Sequence, residues 1–173
     1  VVAIGERVLV LGCAGAGKTV FARRLAQATG LPLVTLDQEY WQPGWVEPDK
    51  PHWVTKVETL IAAPRWIMDG NYLGTLPLRL ARADTVIFLD LPRWLCLWRA
   101  ITRILRHFGR TRDDMAPGCP ERFDWKFLTY IWSFPSTHRP RVVEALRGFP
   151  GALTVCRNSR DASSCLAACE RMW

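Results

Sequence analysis

The stretch VLVLGCAGAGKT, from Val8 to Thr19, decides the fold, because an apolar run passes without a break into a glycine-rich turn that ends in Lys-Thr. Gly12, Gly17, Lys18 and Thr19 fill the four fixed positions of G-x-x-x-x-G-K-[ST], with a strand before and a helix after, the setting in which this pattern forms a phosphate-binding loop. Glycines let the backbone turn tightly with its N–H groups pointing inward, so a polyphosphate sits where side chains would otherwise block it. The following helix adds its free amides and the positive end of its dipole. The residues expected to touch nucleotide are therefore Gly12, Cys13, Ala14, Gly15, Ala16, Gly17, Lys18, Thr19 and Val20. Lys18 is expected to reach the β- and γ-phosphates, and the Thr19 hydroxyl to ligate Mg²⁺.

Outward from this loop, Arg7 to Leu11 reads as a buried parallel strand and Thr19 to Thr29 as a helix, stopped by Gly30 and Pro32. Leu33 to Leu36 is a second short strand. It delivers Asp37 to its carboxyl end, where ligands bind in open α/β sheets, so Asp37 is a candidate for the acceptor site. Gln38 to Pro51 turns irregular, with three prolines and Tyr40, Trp41 and Trp45. Those aromatics either stack on a ligand or form a small cluster under the loop. His52 to Ala63 reads as an amphipathic helix, Arg65 to Asp69 as a third strand, Leu76 to Arg82 as a short helix, and Thr85 to Leu91 as the most apolar strand. Three strands thus end in acids, Asp37, Asp69 and Asp90, and beside a phosphate-binding loop one such acid orients the Mg²⁺ shell; Thr19 and Asp69 are the expected metal pair.

Pro92 is expected at N1 of a helix running to about His107. Its arginines, Arg99, Arg103, Arg106 and Arg110, share one face, and Leu97, Ile101, Ile104, Leu105 and Phe108 the opposite one. The segment 109–122, GRTRDDMAPGCPER, follows as an Arg-rich lid that would exclude water and bring arginines to developing charge. Phe123 to Phe134 and Pro140 to Leu146 read as helices, Ala152 to Cys156 as a fifth strand, and Ala162 to Arg171 as a closing helix; Arg157 is expected near a nucleotide base. The alternation of strand and helix gives a parallel sheet in one α/β domain over residues 1–173, with an acceptor-binding insert at 37–64 and the lid at 109–122.

A chain of 173 residues, 49% hydrophobic, is long enough to bury a full core. No leader peptide or membrane span is recognisable, so a cytoplasmic protein with no membrane partner is expected. The six cysteines form no CxxC pair and no zinc spacing, and read as reduced thiols. Cys165 and Cys169 are expected to face the core, whereas Cys13 in the loop is expected to be exposed enough for oxidation or alkylation. The net charge of +7 is carried by nineteen arginines and only four lysines. Arginine grips phosphates bidentately, which suits a phosphorylated ligand or nucleic acid; arginine-favouring codon usage is the other source of such a bias.

With these residues in place, the chain resembles the nucleoside monophosphate kinases, adenylate kinase in particular, over nearly its whole length. Asp69-Gly70-Asn71-Tyr72-Leu73 stands where that family has Asp-Gly-Phe-Pro-Arg, Asp90-Leu91-Pro92 where it has Asp-Val-Pro, and Arg99 and Arg103 follow at the family's spacings. Thr111-Arg112-Asp113-Asp114 with Arg122 looks like a shortened lid. The segments WQPGW, DGNY, RADTVIFLDLPRW and GCPERFD look more closely like the adenylate-kinase-related DNA topology modulation proteins. The resemblance implies a three-layer P-loop NTPase fold, a five-stranded parallel sheet of kinase-type order 2-3-1-4-5 with helices on both faces. It also implies that Arg99 packs on adenine and Arg103 contacts phosphates. Leu73 replaces the arginine that clamps the acceptor's α-phosphate in that family, with Arg79 or Arg82 as substitutes. Asp37 instead resembles the acid that binds an acceptor hydroxyl in small-metabolite kinases such as shikimate kinase.

The expected activity is Mg²⁺-dependent transfer of the γ-phosphoryl of ATP to a small acceptor: a nucleotide, a nucleoside or a hydroxylated metabolite. Lys18, Arg103, Arg112 and Arg122 would stabilise the transferring group, and Asp37 would hold and partly deprotonate the attacking hydroxyl. The competing class is a nucleotide-dependent nucleic-acid-binding, DNA topology modulating protein, or an ATPase switch. A monomer or homodimer is expected.

Overall fold

The computed structural model describes residues 4–171. Its strands are β1 (Arg7–Gly12), β2 (Leu33–Thr35), β3 (Trp66–Asp69), β4 (Thr85–Leu89) and β5 (Ala152–Cys156). Interleaved with them are α1 (Lys18–Thr29), α2 (Leu36–Tyr40), α3 (Lys50–Ala62), α4 (Leu76–Leu80), α5 (Arg93–His107), α6 (Trp125–Thr137), α7 (Arg139–Leu146) and α8 (Ser159–Glu170). The five strands form one sheet in the order β2-β3-β1-β4-β5, every pairing parallel. The expected order 2-3-1-4-5 is the observed one.

The central strands β1, β3 and β4 are buried on both faces, so they are mostly apolar and their period of two sorts side chains between two cores, while the edge strand β5 leaves Leu153 and Val155 exposed. Val8, Val10, Ile67, Ile87 and Leu89 turn to one side, where Phe21 and Leu25 of α1, Cys96 and Ala100 of α5, Ile131 and Phe134 of α6 and Leu166 of α8 meet them. Leu9, Leu11, Met68, Val86 and Phe88 turn to the other, against Trp53, Val57 and Ile61 of α3, Leu76 of α4 and Val142 and Leu146 of α7. Each fully buried Leu, Ile or Phe contributes about 1.5–3 kcal/mol, which is why β1, solvent-free from Val8 to Leu11, anchors the loop that follows it.

Several local expectations change. β2 ends at Thr35, and Leu36–Tyr40 folds as a helix, so Asp37 sits in the first turn of α2 and not at a strand end. Pro92 is the N-cap of α5, one residue before the helix. α6 starts at Trp125 because the Asp124 carboxylate accepts from the Lys126 and Phe127 amides, and it carries Pro135 inside its last turn. α8 starts at Ser159, three residues early, because Asn158 Oδ1 caps the Asp161 amide at 2.9 Å. On α5 the buried residues are Cys96, Ala100 and Ile104, while Leu105 and Phe108 are 73% and 65% exposed. The apolar face expected for that helix is therefore two faces, only one of which meets the core.

Cys13 is buried at 3% exposure, not accessible: its Sγ points at the Ile131 carbonyl at 4.0 Å, and its pKa is raised by the hydrogen bond its thiol donates to Cys96 and by burial. The other five cysteines are buried as well, Cys165 and Cys169 among them as expected. Asp90, the third strand-end acid, is held bidentately by Arg139 at 2.7 Å and is a structural ion pair. No helix among the described residues is long and apolar enough to cross a membrane.

Candidate functional site

The carboxyl ends of β1, β2 and β3 open into a cleft of about 1180 Å³. Its floor is the loop from Ala14 to Thr19. Gly12 has φ of 148°, and a Cβ there would stand 2.6 Å from the Leu89 carbonyl oxygen; at Gly15, φ is 81° and a Cβ would strike the Cys96 carbonyl of α5 at 2.1 Å. Both backbone conformation and space therefore demand glycine at these two places. Ala14, Gly15, Ala16, Gly17, Lys18, Thr19 and Val20 all line the cleft, whereas Gly12 and Cys13 lie behind it and support the loop. Lys18 folds back over the loop and donates to the Cys13 carbonyl at 3.1 Å.

Thr19 Oγ1 donates to Asp69 Oδ2 at 2.5 Å, joining the start of α1 to the end of β3. Asp69 is 3% exposed, and its Oδ1 has no partner among the described residues. Burial raises its pKa to about 6 against the opposing pull of Lys18. A hydroxyl and a carboxylate with one orphaned, buried oxygen are the hard oxygen donors that suit Mg²⁺ and its waters.

Beside Asp69, the segment Gly70–Tyr72 ties the site together. The Asn71 side chain clamps Gly12: its Oδ1 accepts from the Gly12 amide at 3.0 Å and its Nδ2 donates to the Gly12 carbonyl at 2.7 Å. Nδ2 also reaches the Tyr130 hydroxyl at 3.3 Å. Tyr72, at φ of 33°, donates its hydroxyl to Asp37 Oδ1 at 2.6 Å; burial and the Asp37 charge both push the phenol's pKa up, so it stays a donor. Arg79 holds the segment from below. It is wholly buried, donates to the carbonyls of Gly70 (2.9 Å), Asn71 and Tyr72 (3.0 Å), and its pKa is lowered by burial to about 9. Arg79 is thus a structural cation with no reach into the cleft, and Arg82 donates to the Ile61 carbonyl on the far side. Neither takes the place of the arginine that Leu73 replaces.

Across the cleft, α5 presents Arg99 and Arg103. Arg99 donates to the Ala16 carbonyl at 3.3 Å and to Ser159 Oγ at 3.0 Å, closing the donor end. Ser159, Ala162 and Ser163 line that end. The Arg157 side chain, expected there, lies exposed outside the lining, and only its amide is engaged, by Asp161. Arg103 and Arg112 converge on Glu121, with Nε to Oε1 distances of 3.0 and 2.8 Å, and Arg112 also meets Asp114 at 3.1 Å. The two contacts with Glu121 are charge contacts more than aligned hydrogen bonds, since neither Nε is directed at the carboxylate, whereas Arg112 Nη1 donates to Asp114. Burial, then the neighbouring Arg112, lowers the Arg103 pKa. Arg122 stands at the rim, its guanidinium 5.4 Å from the Trp45 ring centroid.

The two irregular segments meet over the cleft. The Gly44 amide donates to the Gly118 carbonyl at 2.9 Å, Trp45 Nε1 to Pro120 O at 3.0 Å, Cys119 Sγ to Gln42 O at 3.2 Å, and Gln38 Nε2 to the Asp113 carbonyl. Met115, Ala116 and Cys119 pack under Trp41 and Trp45. The aromatics form the cluster, and the same rings line the cleft. The ends of the 109–122 segment are zipped by Glu121, whose amide donates to the Arg110 carbonyl and whose carbonyl accepts from the Gly109 amide, each at 2.9 Å.

Asn71, Tyr72, Tyr130, Asp114 and Glu121 complete the site without having been singled out from the sequence. Asn71 and Tyr72 in Asp69–Leu73, Asp114 in Thr111–Asp114 and Glu121 in GCPERFD entered only as pieces of the resemblance, and Tyr130 in none. Among the described residues no cluster of three or more His, Cys, Asp or Glu side chains forms a metal cage.

No protein-family profile matches the chain, and no curated protein is similar to it by sequence. Solved structures are similar in fold. Shikimate kinase from Acinetobacter baumannii in complex with shikimate aligns over 96% of this chain and 92% of its own, with 17% identity and a TM-score of 0.62. Shikimate kinase from Bacteroides thetaiotaomicron aligns over 96% and 97%, with 14% identity and a TM-score of 0.58. A gluconokinase from Sinorhizobium meliloti 1021 aligns over 96% and 94%, with 14% identity and a TM-score of 0.52. The five-stranded order with helices on both faces is the shikimate-kinase-like P-loop fold. These three proteins are named for small hydroxylated metabolites, not for nucleotides.

Proposed function

We propose that this chain is a Mg²⁺-dependent P-loop kinase that moves the γ-phosphoryl of ATP to a hydroxyl of a small, hydroxylated acceptor. The observation that carries the reading is that one continuous cleft is lined both by the loop from Ala14 to Thr19 and by Asp37 with its Tyr72 partner. A phosphate cradle and a carboxylate fit to receive a proton thus face the same space.

In this reading the loop amides and Lys18 hold the donor's phosphates, and Arg99 and Ser159 border its base. Thr19 and Asp69 hold Mg²⁺, which when bound neutralises phosphate charge. Tyr72 occupies Asp37 Oδ1 and leaves Oδ2 to the acceptor. As the acceptor oxygen bonds to the γ-phosphorus and the bond to the β-phosphate oxygen breaks, the hydroxyl proton passes to Asp37 and ADP leaves. Arg103, Arg112 and Arg122 stabilise the charge on the transferring group. With Leu73 at the acceptor end and Arg79 buried, no arginine clamps an acceptor α-phosphate from that side. This favours a metabolite over a nucleoside monophosphate. The nucleic-acid-binding alternative loses its basis in the arginines of α5, because Arg99 and Arg103 turn into the cleft.

The test is a panel of hydroxylated metabolites, nucleosides and nucleotides scored for acceptor-dependent ADP release. The expected result is release with one chemical class, lost in Lys18→Ala while its circular dichroism stays that of the wild type. Release that depends on no acceptor, or that survives Lys18→Ala, refutes the assignment.

A further inference from the structure

Trp94, Trp98, Ile101 and Leu105 of α5 and Phe108 at its C-cap follow one another at intervals of 4, 3, 4 and 3 residues. This is the spacing of a helix seam that packs on another helix. Among the described residues no helix covers it: α5 meets the core through Cys96, Ala100 and Ile104, while Trp94, Trp98, Leu105 and Phe108 are 65%, 66%, 73% and 65% exposed. Trp132 and Trp125 of α6, with Phe123 before it, add exposed apolar surface alongside; Trp132 makes an edge contact with Trp94, the ring centroids 4.6 Å apart.

Three properties identify the missing partner. The seam is symmetric to within one residue: Trp94 and Phe108 stand seven residues either side of Ile101, Trp98 three before it and Leu105 four after it. Under an antiparallel two-fold axis close to Ile101, Trp94 therefore lies level with Phe108 and Trp98 within one residue's rise of Leu105, which is the self-complementarity of an isologous contact. The seam carries no charge. Arg99, Arg103 and Arg106 lie roughly 120–180° around the helix from it at 3.6 residues per turn, so pairing does not bring arginines together. The size is right: at on the order of 150–250 Å² per aromatic side chain, the exposed residues present about 900 Å² per copy, against about 800 Å² per partner in a standard interface.

We propose that α5 is the dimer interface of this protein, two copies packing their α5 seams antiparallel across a two-fold axis at Ile101. The proposal does not depend on the reaction assigned above, but it bears on it, because the opposite side of the same helix carries Arg99 and Arg103.

The test is the mass in solution by sedimentation velocity or light scattering. The wild-type chain is expected at twice its 19.7 kDa mass, and to stay so in 1 M salt. Trp98→Glu and Leu105→Lys, both at exposed positions outside the cleft, should each weaken the dimer at least about tenfold, as loss of a central anchor does. The double variant Trp98→Glu/Leu105→Lys places opposite charges face to face only in the antiparallel register, so it should dimerise again, which a misfolded variant would not do. A wild-type chain that is monomeric at all concentrations overturns the proposal. So does a monomer that instead sediments with phosphatidylglycerol vesicles, or a double variant that stays monomeric.

Discussion

Asn71→Asp exchanges one NH₂ group for an oxygen and should cost more than the larger truncation Asn71→Ala. In the native site the amide accepts from the Gly12 N–H at 3.0 Å and donates to the Gly12 carbonyl at 2.7 Å. Truncation to alanine leaves a space open to the cleft in which water takes over both bonds, at a net cost of about 1 kcal/mol each, roughly 2 kcal/mol in all. The aspartate keeps the first bond but sets a carboxylate oxygen against the Gly12 carbonyl. That leaves the carbonyl without a donor, at about 1–3 kcal/mol, and adds repulsion, for a total of about 3–4 kcal/mol. Urea unfolding followed by circular dichroism gives the difference directly. Titration calorimetry with ATP should show a parallel loss of about tenfold or more, because Gly12 leads into the cradle. Lowering the pH should narrow the gap, since a protonated acid can again donate to the Gly12 carbonyl while accepting from its amide. If the aspartate variant is milder than the alanine variant, or both lie within about 0.5 kcal/mol of wild type, the amide is not clamping the loop.

Glu121→Ala leaves Arg103 and Arg112 side by side and should cost about 2–3 kcal/mol in urea, less than a fully buried broken pair because Arg103 is 27% exposed, with part of the loss recovered in 1 M salt. An unchanged midpoint would show that the carboxylate does not hold the two arginines. Arg79→Met strands three carbonyl oxygens and should cost about 3 kcal/mol, visible as a drop in the calorimetric melting temperature; a melt at the wild-type temperature would remove its structural role. Asp69→Asn should raise stability by about 1 kcal/mol, since it neutralises a buried, half-partnered carboxylate, while acceptor-dependent ADP release falls at least about a hundredfold. A variant that keeps its activity would place the metal elsewhere.

What the sequence makes legible is what neighbours along the chain decide. The apolar run Val8–Leu11 ending in glycines announces strand, turn and helix because each residue's preference agrees with the next, and the parallel order follows from the alternation and the resemblance. Contacts between distant residues leave no such mark. Asn71 meets Gly12 across 59 positions, and nothing in Asp-Gly-Asn-Tyr distinguishes a loop clamp from an ordinary turn. Arg79 looks like a cation for phosphate and is instead a cation for three carbonyls, because its burial is set by the packing of α4 and not by its own segment. Glu121, in a polar loop, has the appearance of a surface acid, yet it is 6% exposed and is the charge that lets two arginines stay close. On α5 a two-sided helical pattern is the simplest reading of alternating arginines and apolar residues. The structure resolves three sides, and the third, aromatic one is invisible without knowing which side α6 covers.

The 109–122 segment resting on the 38–46 segment has a kinetic consequence under the proposed function. Gly44 to Gly118, Trp45 to Pro120, Cys119 to Gln42 and Gln38 to Asp113 must part together, since the Met115 cluster joins them into one flap. That flap stands above both the loop from Ala14 to Thr19 and Asp37, so under the proposed function a single opening would admit both substrates and release both products. Turnover would then be paced by traffic through one shared door, and a faster enzyme would come from loosening its latch more readily than from improving the chemistry behind it.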